Sequence, residues 1–125
     1  MKVKVTVKLN NSKIRQLEEA NKQAFKLTVE DVLQDIKDSQ VVPKDTGRLE
    51  NSGTIEFISE VVASIIFQTP YARRLYFNPN FNFHTDKNAN AQGMWMDMYV
   101  NGDKKDFIIS QYSMHLKELS KGLVT

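Results

Sequence analysis

The sequence predicts a small two-layer α+β domain: an N-terminal strand and a long helix, then an antiparallel hairpin sheet and a C-terminal helix. Residues 3–9 alternate between apolar and polar, with the period of a half-buried strand. Apolar residues then recur at helical spacing over residues 12–39 and again after Asp103. Two short apolar runs lie between these helices. The 125 residues suffice for one hydrophobic core, so we expect residues 1–125 to form a single domain.

The first strand carries apolar side chains at Val3, Val5, Val7 and Leu9 and lysines on its other side, a composition typical of an edge strand. Asn10-Asn11-Ser12 then interrupts the alternation and supplies a helix cap. Within the predicted helix, residues 28–31 read Thr-Val-Glu-Asp, which resembles a capping box. We therefore expect an irregularity near Thr28, or the start of a second helix.

A loop with defined turn residues follows this helix. Pro43 disfavours helical torsions at the residue before it, and Gly47 can take a positive φ. Asp45 and Thr46 can bond nearby backbone. We therefore assign Pro43, Asp45, Thr46 and Gly47 as a structural loop.

The hairpin is predicted from residues 54–58 and 61–67, with Ser59-Glu60 as the reversal. Because the second strand is apolar on nearly both faces, we expect it to be central in the sheet. Pro70 then favours a short helix over 71–76. Residues 78–93 form a loop longer than most loops in compact domains, and such loops are usually functional or disordered. Residues 94–100 are ambiguous, and Asp103 with Asp106 opens the final helix.

Seven of the 12 aromatic residues fall between positions 71 and 99, among Asn and Arg more than among aliphatic residues. Such composition resembles that of protein interfaces, where aromatic and Arg side chains act as anchors. We predict seven assembly contacts: Tyr71, Arg73, Arg74, Tyr76, Phe81, Phe83 and Trp95. Two alternatives remain open, namely an ordinary amphipathic short helix with exposed arginines and a core position for Trp95.

Composition excludes several classes of protein. The net charge is +2, which gives no strong field for nucleic acid or membrane. The chain has neither an apolar stretch of the roughly 20 residues that span a bilayer nor the apolar core of a signal peptide, so we expect an intracellular protein without a membrane partner. Cysteine is absent, which removes disulfides, thiolate zinc sites and cysteine catalysis.

Two enzyme-like patterns are weaker than their structural alternatives. Asp45-Thr46-Gly47 is the tripeptide of aspartic proteases, and a homodimer would pair two such aspartates. In those enzymes the tripeptide ends an apolar strand, whereas here Pro43-Lys44 precedes it, so a turn is favoured. His84 and Asp86 fall short of the three or four ligands that zinc requires. We predict no catalytic residue, metal or cofactor.

A nucleic-acid surface is the third alternative. Residues 1–17 hold five basic residues and no acidic one, and Arg73-Arg74 adds to them. Such a surface would bind phosphate backbones through charge. A solvated edge strand followed by the first turns of a helix explains the same residues and is favoured.

Three segments together resemble a known family. They read VPKDTGRLENSG at 42–53, TPYARRLYF at 69–77 and AQGMW at 91–95. In this order and spacing they resemble the small minor capsid proteins of tailed bacteriophages and prophages, which are related to phage neck and tail-completion proteins. The resemblance covers roughly residues 41–99. Residues 94–100 depart from the family pattern, which continues as a clear helix with Lys and Ala.

The resemblance implies a structural protein of the virion, assembled in the bacterial cytoplasm, with no enzymatic activity. Proteins of this group form a ring at the head–tail junction, so the implied partners are further copies of the chain and other neck, adaptor or tail proteins. A hexameric or dodecameric ring is expected, with a free protein that can be monomeric, and DNA in the lumen can contact it. The alternative in the same setting is a head-associated minor capsid protein outside the junction.

Overall fold

A computed structural model describes residues 2–3, 11–44 and 46–122. Its elements are helix α1 (Asn11–Asp38), helix α2 (Arg48–Asn51), strands β1 (Gly53–Phe57) and β2 (Ala63–Phe67), and helices α3 (Ala72–Tyr76), α4 (Met98–Asn101) and α5 (Lys105–Leu119). The α+β class is confirmed, with a long first helix, an antiparallel hairpin and a C-terminal helix packed on α1. The predicted strand over residues 3–9 lies, apart from Val3, outside the described residues, and so does Asp45.

Helix α1 is continuous, so the irregularity predicted near Thr28 is wrong. Thr28 is buried and its Oγ1 donates a 2.7 Å hydrogen bond to the carbonyl oxygen of Ala24, one turn earlier. A hydroxyl that bonds to the preceding turn is satisfied inside a helix and does not need to cap a new one. Every fourth residue from Ala20 to Ile36 is buried, and this stripe faces the rest of the domain.

The two strands pair antiparallel, with Gly53 opposite Phe67 and Phe57 opposite Ala63. A Cβ on Gly53 would lie 2.9 Å from the Phe67 ring and 3.1 Å from Leu33, so the hairpin lies close against α1 there. The expected central position of the second strand stays a prediction: the sheet of the described residues contains β1 and β2, and the predicted N-terminal strand lies, apart from Val3, outside them. All five residues of β2 are half-buried, and the strand borders a groove.

Helix α5 runs antiparallel to α1. Near its start, Lys104 Nζ lies 3.1 Å from Asp35, and farther along, His115 Nε2 lies 2.6 Å from Asp31. The His115 side chain is largely covered and faces α1. Its partner lies 84 residues away, which local periodicity cannot reveal.

The core is centred on Trp95, which is 1% exposed together with Ile36 on α1. The Trp95 ring meets Phe67 of β2 edge-on at 5.6 Å and Tyr76 of α3 at 4.8 Å between centroids. The segment after the long loop thus joins the hairpin to α3. Within the part of the chain that the structure describes, no helix is long and apolar enough to cross a membrane.

Candidate docking groove

Three residues of the predicted structural loop, Pro43, Thr46 and Gly47, and most of the predicted contact residues meet in one groove of about 700 Å³. It is lined by residues 43–44 and 46–49, by positions 71, 74 and 75 around α3, and by residues 81–84 of the long loop. We call this surface the Arg74 groove. Its lining combines aromatic rings with cationic side chains, the residue types that dominate protein docking surfaces.

The first wall of the Arg74 groove is a turn that depends on Gly47. Gly47 takes φ 86°, the positive value that the sequence predicts, and the backbone N–H of Arg48 donates a 3.4 Å bond to Thr46 Oγ1. Leu49 anchors the turn in the core at 2% exposure. Thr46 and Gly47 thus serve the local backbone, and Arg48 is left on the surface.

The opposite wall carries the cations and rings. Ala72, the first residue of α3, is buried, and Arg73 and Arg74 are exposed. The Arg74 guanidinium lies 5.7 Å from the centroid of the Phe81 ring, and the centroids of the Phe81 and Phe83 rings are 6.3 Å apart. Such cation–ring contacts at exposed sites contribute about 0.5–1 kcal/mol and hold the guanidinium in place.

Not every predicted contact residue lines this groove. Tyr71, Arg74, Phe81 and Phe83 do, and Arg73 lies beside it with its guanidinium 5.9 Å from the Phe77 ring. Tyr76 packs on Trp95 and is half-buried. Trp95 is a core residue, the alternative that the sequence left open, so it supports the surface from behind.

The second half of the long loop is fastened to the chain that follows α1. Backbone N–H groups of Asn90 and Gln92 donate to the carbonyl oxygens of Gln40 and Val41 at 3.1 and 3.0 Å. Asn90 Nδ2 adds a 3.0 Å bond to the carbonyl oxygen of Ser39. The loop therefore holds a defined position against the far side of the structural loop.

Asn88 is the centre of this attachment and is 4% exposed. Its Nδ2 donates to the carbonyl oxygen of Val42 at 2.8 Å and to Glu50 Oε1 at 3.2 Å. Glu50 is also buried and its other oxygen lies 3.1 Å from Lys44 Nζ. Neither residue stands out in the sequence. The asparagines have the composition of an interface there, whereas in the structure the side chains of Asn78, Asn88 and Asn90 donate to backbone carbonyls within the chain.

The side chains that line the Arg74 groove are suited to binding another protein. Arg48 and Arg74 can bind carboxylates, and the rings can pack against apolar or aromatic side chains. Among the described residues, no three His, Asp or Glu side chains lie close enough together to hold a metal ion. The His84 side chain is exposed at the rim of the Arg74 groove, and the Asp86 side chain is also exposed.

Comparison with known proteins gives no match: no family model, no curated protein and no solved structure matches this chain. The sequence segments and the geometry of the Arg74 groove therefore indicate the function.

Proposed function

We propose that this chain is a structural protein of a tailed phage or prophage virion and forms part of the ring that joins head to tail. The resemblance of segments 42–53, 69–77 and 91–95 to phage minor capsid and neck proteins supports it. The proposal includes its setting: the chain acts in the virion, after assembly in the host cytoplasm, and performs no catalysis.

One observation carries the proposal. The first two of these segments, far apart in sequence, line a single exposed groove together with the aromatic part of the long loop. The third segment supports α3 from inside, because the N–H of Met94 donates 2.8 Å to the carbonyl oxygen of Tyr76. The resembling residues thus build and support one surface, as a shared docking role requires.

The chemistry of the Arg74 groove defines the partner surface. A neck, adaptor or tail protein that docks there should present carboxylates to Arg48 and Arg74 and an apolar side chain to Phe81 and Phe83. Arginine and aromatic anchors of this kind usually supply a large share of binding free energy. Arg73 and Phe77 extend the same surface past the end of α3.

The test uses the phage or prophage that encodes the chain. Deletion of the gene should leave DNA-filled heads and finished tails that are separate in electron micrographs. An Arg73→Ala/Arg74→Ala chain supplied in trans should fold normally and fail to restore joined particles. The matched control is Arg15→Ala, which removes an exposed arginine from α1 away from the groove and should restore them.

Two outcomes would contradict the proposal. Joined, infectious particles from the deletion would remove the chain from the junction and favour a head-associated minor capsid protein. Full infectivity of the Arg73→Ala/Arg74→Ala phage would remove these arginines from assembly.

A further inference from the structure

A second groove, of about 800 Å³, lies between β2, α1 and α5. Its walls are apolar and include Val29, Val32, Ile65 and Ile108. Several of its residues are unusually open for apolar side chains: Val61 and Val100 are each 65% exposed and Ile109 is 59% exposed. We call this surface the β2 groove. An open apolar patch of this kind marks an interaction site.

The β2 groove lies beside an open strand edge. In the described part of the chain β2 pairs only with β1, so one of its edges has no strand partner there. Residues 61–63 and 65 line the groove and no residue of β1 does, so the groove borders the β2 side of the hairpin, where β2 has no strand partner in the described part of the chain. A strand added at this edge would gain backbone hydrogen bonds from β2 and apolar contacts from α1 and α5.

The sequence contains one segment with the matching pattern. Residues 3–9 carry Val, Val, Val and Leu at alternate positions, with Lys4, Thr6 and Lys8 between them. As a third strand, this segment would direct its apolar side chains into the groove and its lysines to solvent. We propose that residues 3–9 of one copy occupy the β2 groove of a neighbouring copy.

Chain reach selects a neighbouring copy over the same chain. Helix α1 begins at Asn11, and the groove starts at Phe25 and extends to Ile36, about 21 to 38 Å along the helix axis. An extended segment covers about 3.3 Å per residue, so Val5 reaches only about 20 Å back from Asn11. Within one chain, no more than the first few residues of segment 3–9 can therefore reach the near end of the β2 groove.

The position of the hairpin along α1 agrees with this estimate of chain reach. Its tip is held beside the first half of α1, where Lys22 Nζ lies 3.0 Å from Glu60 and the Phe25 and Phe57 rings meet at 6.4 Å. The strands then run from there toward Leu33. The turns of α1 before Lys22 thus lie beyond the hairpin tip, which adds to the distance between Asn11 and the groove.

Donation of a strand from each copy to the next is a head-to-tail contact. Such a contact forms a closed ring when the rotation between neighbouring copies returns to the first copy. The inference therefore deepens the proposed neck ring by naming its subunit contact. It depends on the proposed function for ring closure only, because strand donation itself can be tested on the purified chain.

The chain has no cysteine, which makes disulfide trapping specific. Single variants Val3→Cys, Val5→Cys and Val7→Cys are each mixed under oxidising conditions with Val62→Cys. Val62 lines the β2 groove and directly precedes β2. A disulfide requires Cα atoms about 4.4–6.8 Å apart, so three donor positions cover the unknown register. At least one mixture should give a linked dimer of the two different chains. Met114→Cys, an exposed apolar position outside the groove, should give none with the same donors.

A complementation experiment gives an independent readout. Val5→Asp/Val7→Asp loses the donor face and Val62→Asp/Ile65→Asp loses the groove, so each variant alone should be monomeric. Their mixture keeps one intact donor and one intact groove, and should form a 1:1 dimer and nothing larger. The fluorescence of Trp95 shows whether each variant is folded.

Three results would overturn the inference: no linked dimer at any donor position, equal linkage to Met114→Cys, or a disulfide that forms at high dilution within a single Val7→Cys/Ile65→Cys chain, whose two positions the chain reach keeps apart. Failure here is distinct from failure of the proposed function. Separate heads and tails from the gene deletion, together with no strand donation, would retain the neck assignment and remove only this contact.

Discussion

Replacement of Asn88 by alanine should release the long loop from the body of the domain. The side chain makes two hydrogen bonds, one to the carbonyl oxygen of Val42 and one to the buried carboxylate of Glu50. A neutral hydrogen bond contributes about 1 kcal/mol net, and one to a charged group about 1.5–3 kcal/mol. Because both acceptors stay buried in the variant, we expect the free energy of unfolding to fall by about 2–4 kcal/mol.

Urea denaturation followed by Trp95 fluorescence measures this loss, because Trp95 is the single tryptophan and lies in the core. Asn80→Ala is the matched control: Asn80 is an exposed asparagine of the same loop and its loss should change stability by less than about 0.5 kcal/mol. Glu50→Gln separates the two roles of the carboxylate, since glutamine can still accept from Asn88 but no longer pairs with Lys44.

The loop itself supplies the second readout. In Asn88→Ala, limited proteolysis should cleave within residues 78–92 faster than in the parent chain, because local opening becomes easier. A loss below about 0.5 kcal/mol, or a loss equal to that of Asn80→Ala, would refute the conclusion that Asn88 fastens the loop.

Three further changes have defined outcomes. Gly93→Ala places a Cβ 2.7 Å from the Pro79 Cα and should destabilise the fold by about 1–3 kcal/mol in thermal unfolding, because backbone must shift. Trp95→Ala should cost about 3–5 kcal/mol in urea, followed by far-ultraviolet circular dichroism because the variant has no tryptophan; a small loss would contradict its core position. Burial and the 2.5 Å hydrogen bond to Asp35 raise the pKa of Tyr99 above its ordinary value of 10.0. The folded chain thus holds this proton more tightly than the unfolded one, so the contribution of Tyr99 to stability should be constant well below pH 10 and fall as the pH rises through and above 10. Tyr99→Phe should remove part of that fall in denaturation curves between pH 9 and 11.

Periodicity accounts for the parts of the fold that the sequence predicted. The helix predicted over 12–39 is found over Asn11–Asp38, and the strands predicted over 54–58 and 61–67 are found shifted or shortened by a residue or two. These elements depend on local alternation between apolar and polar positions, which is visible in the chain. The predicted break at Thr28 failed because burial of the stripe from Ala20 to Ile36 outweighed a local capping pattern.

The candidate site was predictable only in its exposed part. Tyr71, Arg74, Phe81 and Phe83 stand out in the sequence because rings and arginines cluster there without aliphatic neighbours. The residues that hold this surface in place could not be found in that way. Asn88 and Glu50 are 38 positions apart, and a buried polar pair has no periodic signature that would connect them.

The two grooves share no lining residue, and this separation bears on assembly. A ring subunit must bind identical neighbours around the ring and different proteins above or below it. One surface of aromatic and cationic side chains and another of aliphatic side chains beside an open strand edge meet these two needs with different chemistry. Arg73→Ala/Arg74→Ala should therefore block docking and leave strand donation intact, whereas Val62→Asp/Ile65→Asp should do the reverse. Loss of both properties in either folded variant would show that the two surfaces act as one interface.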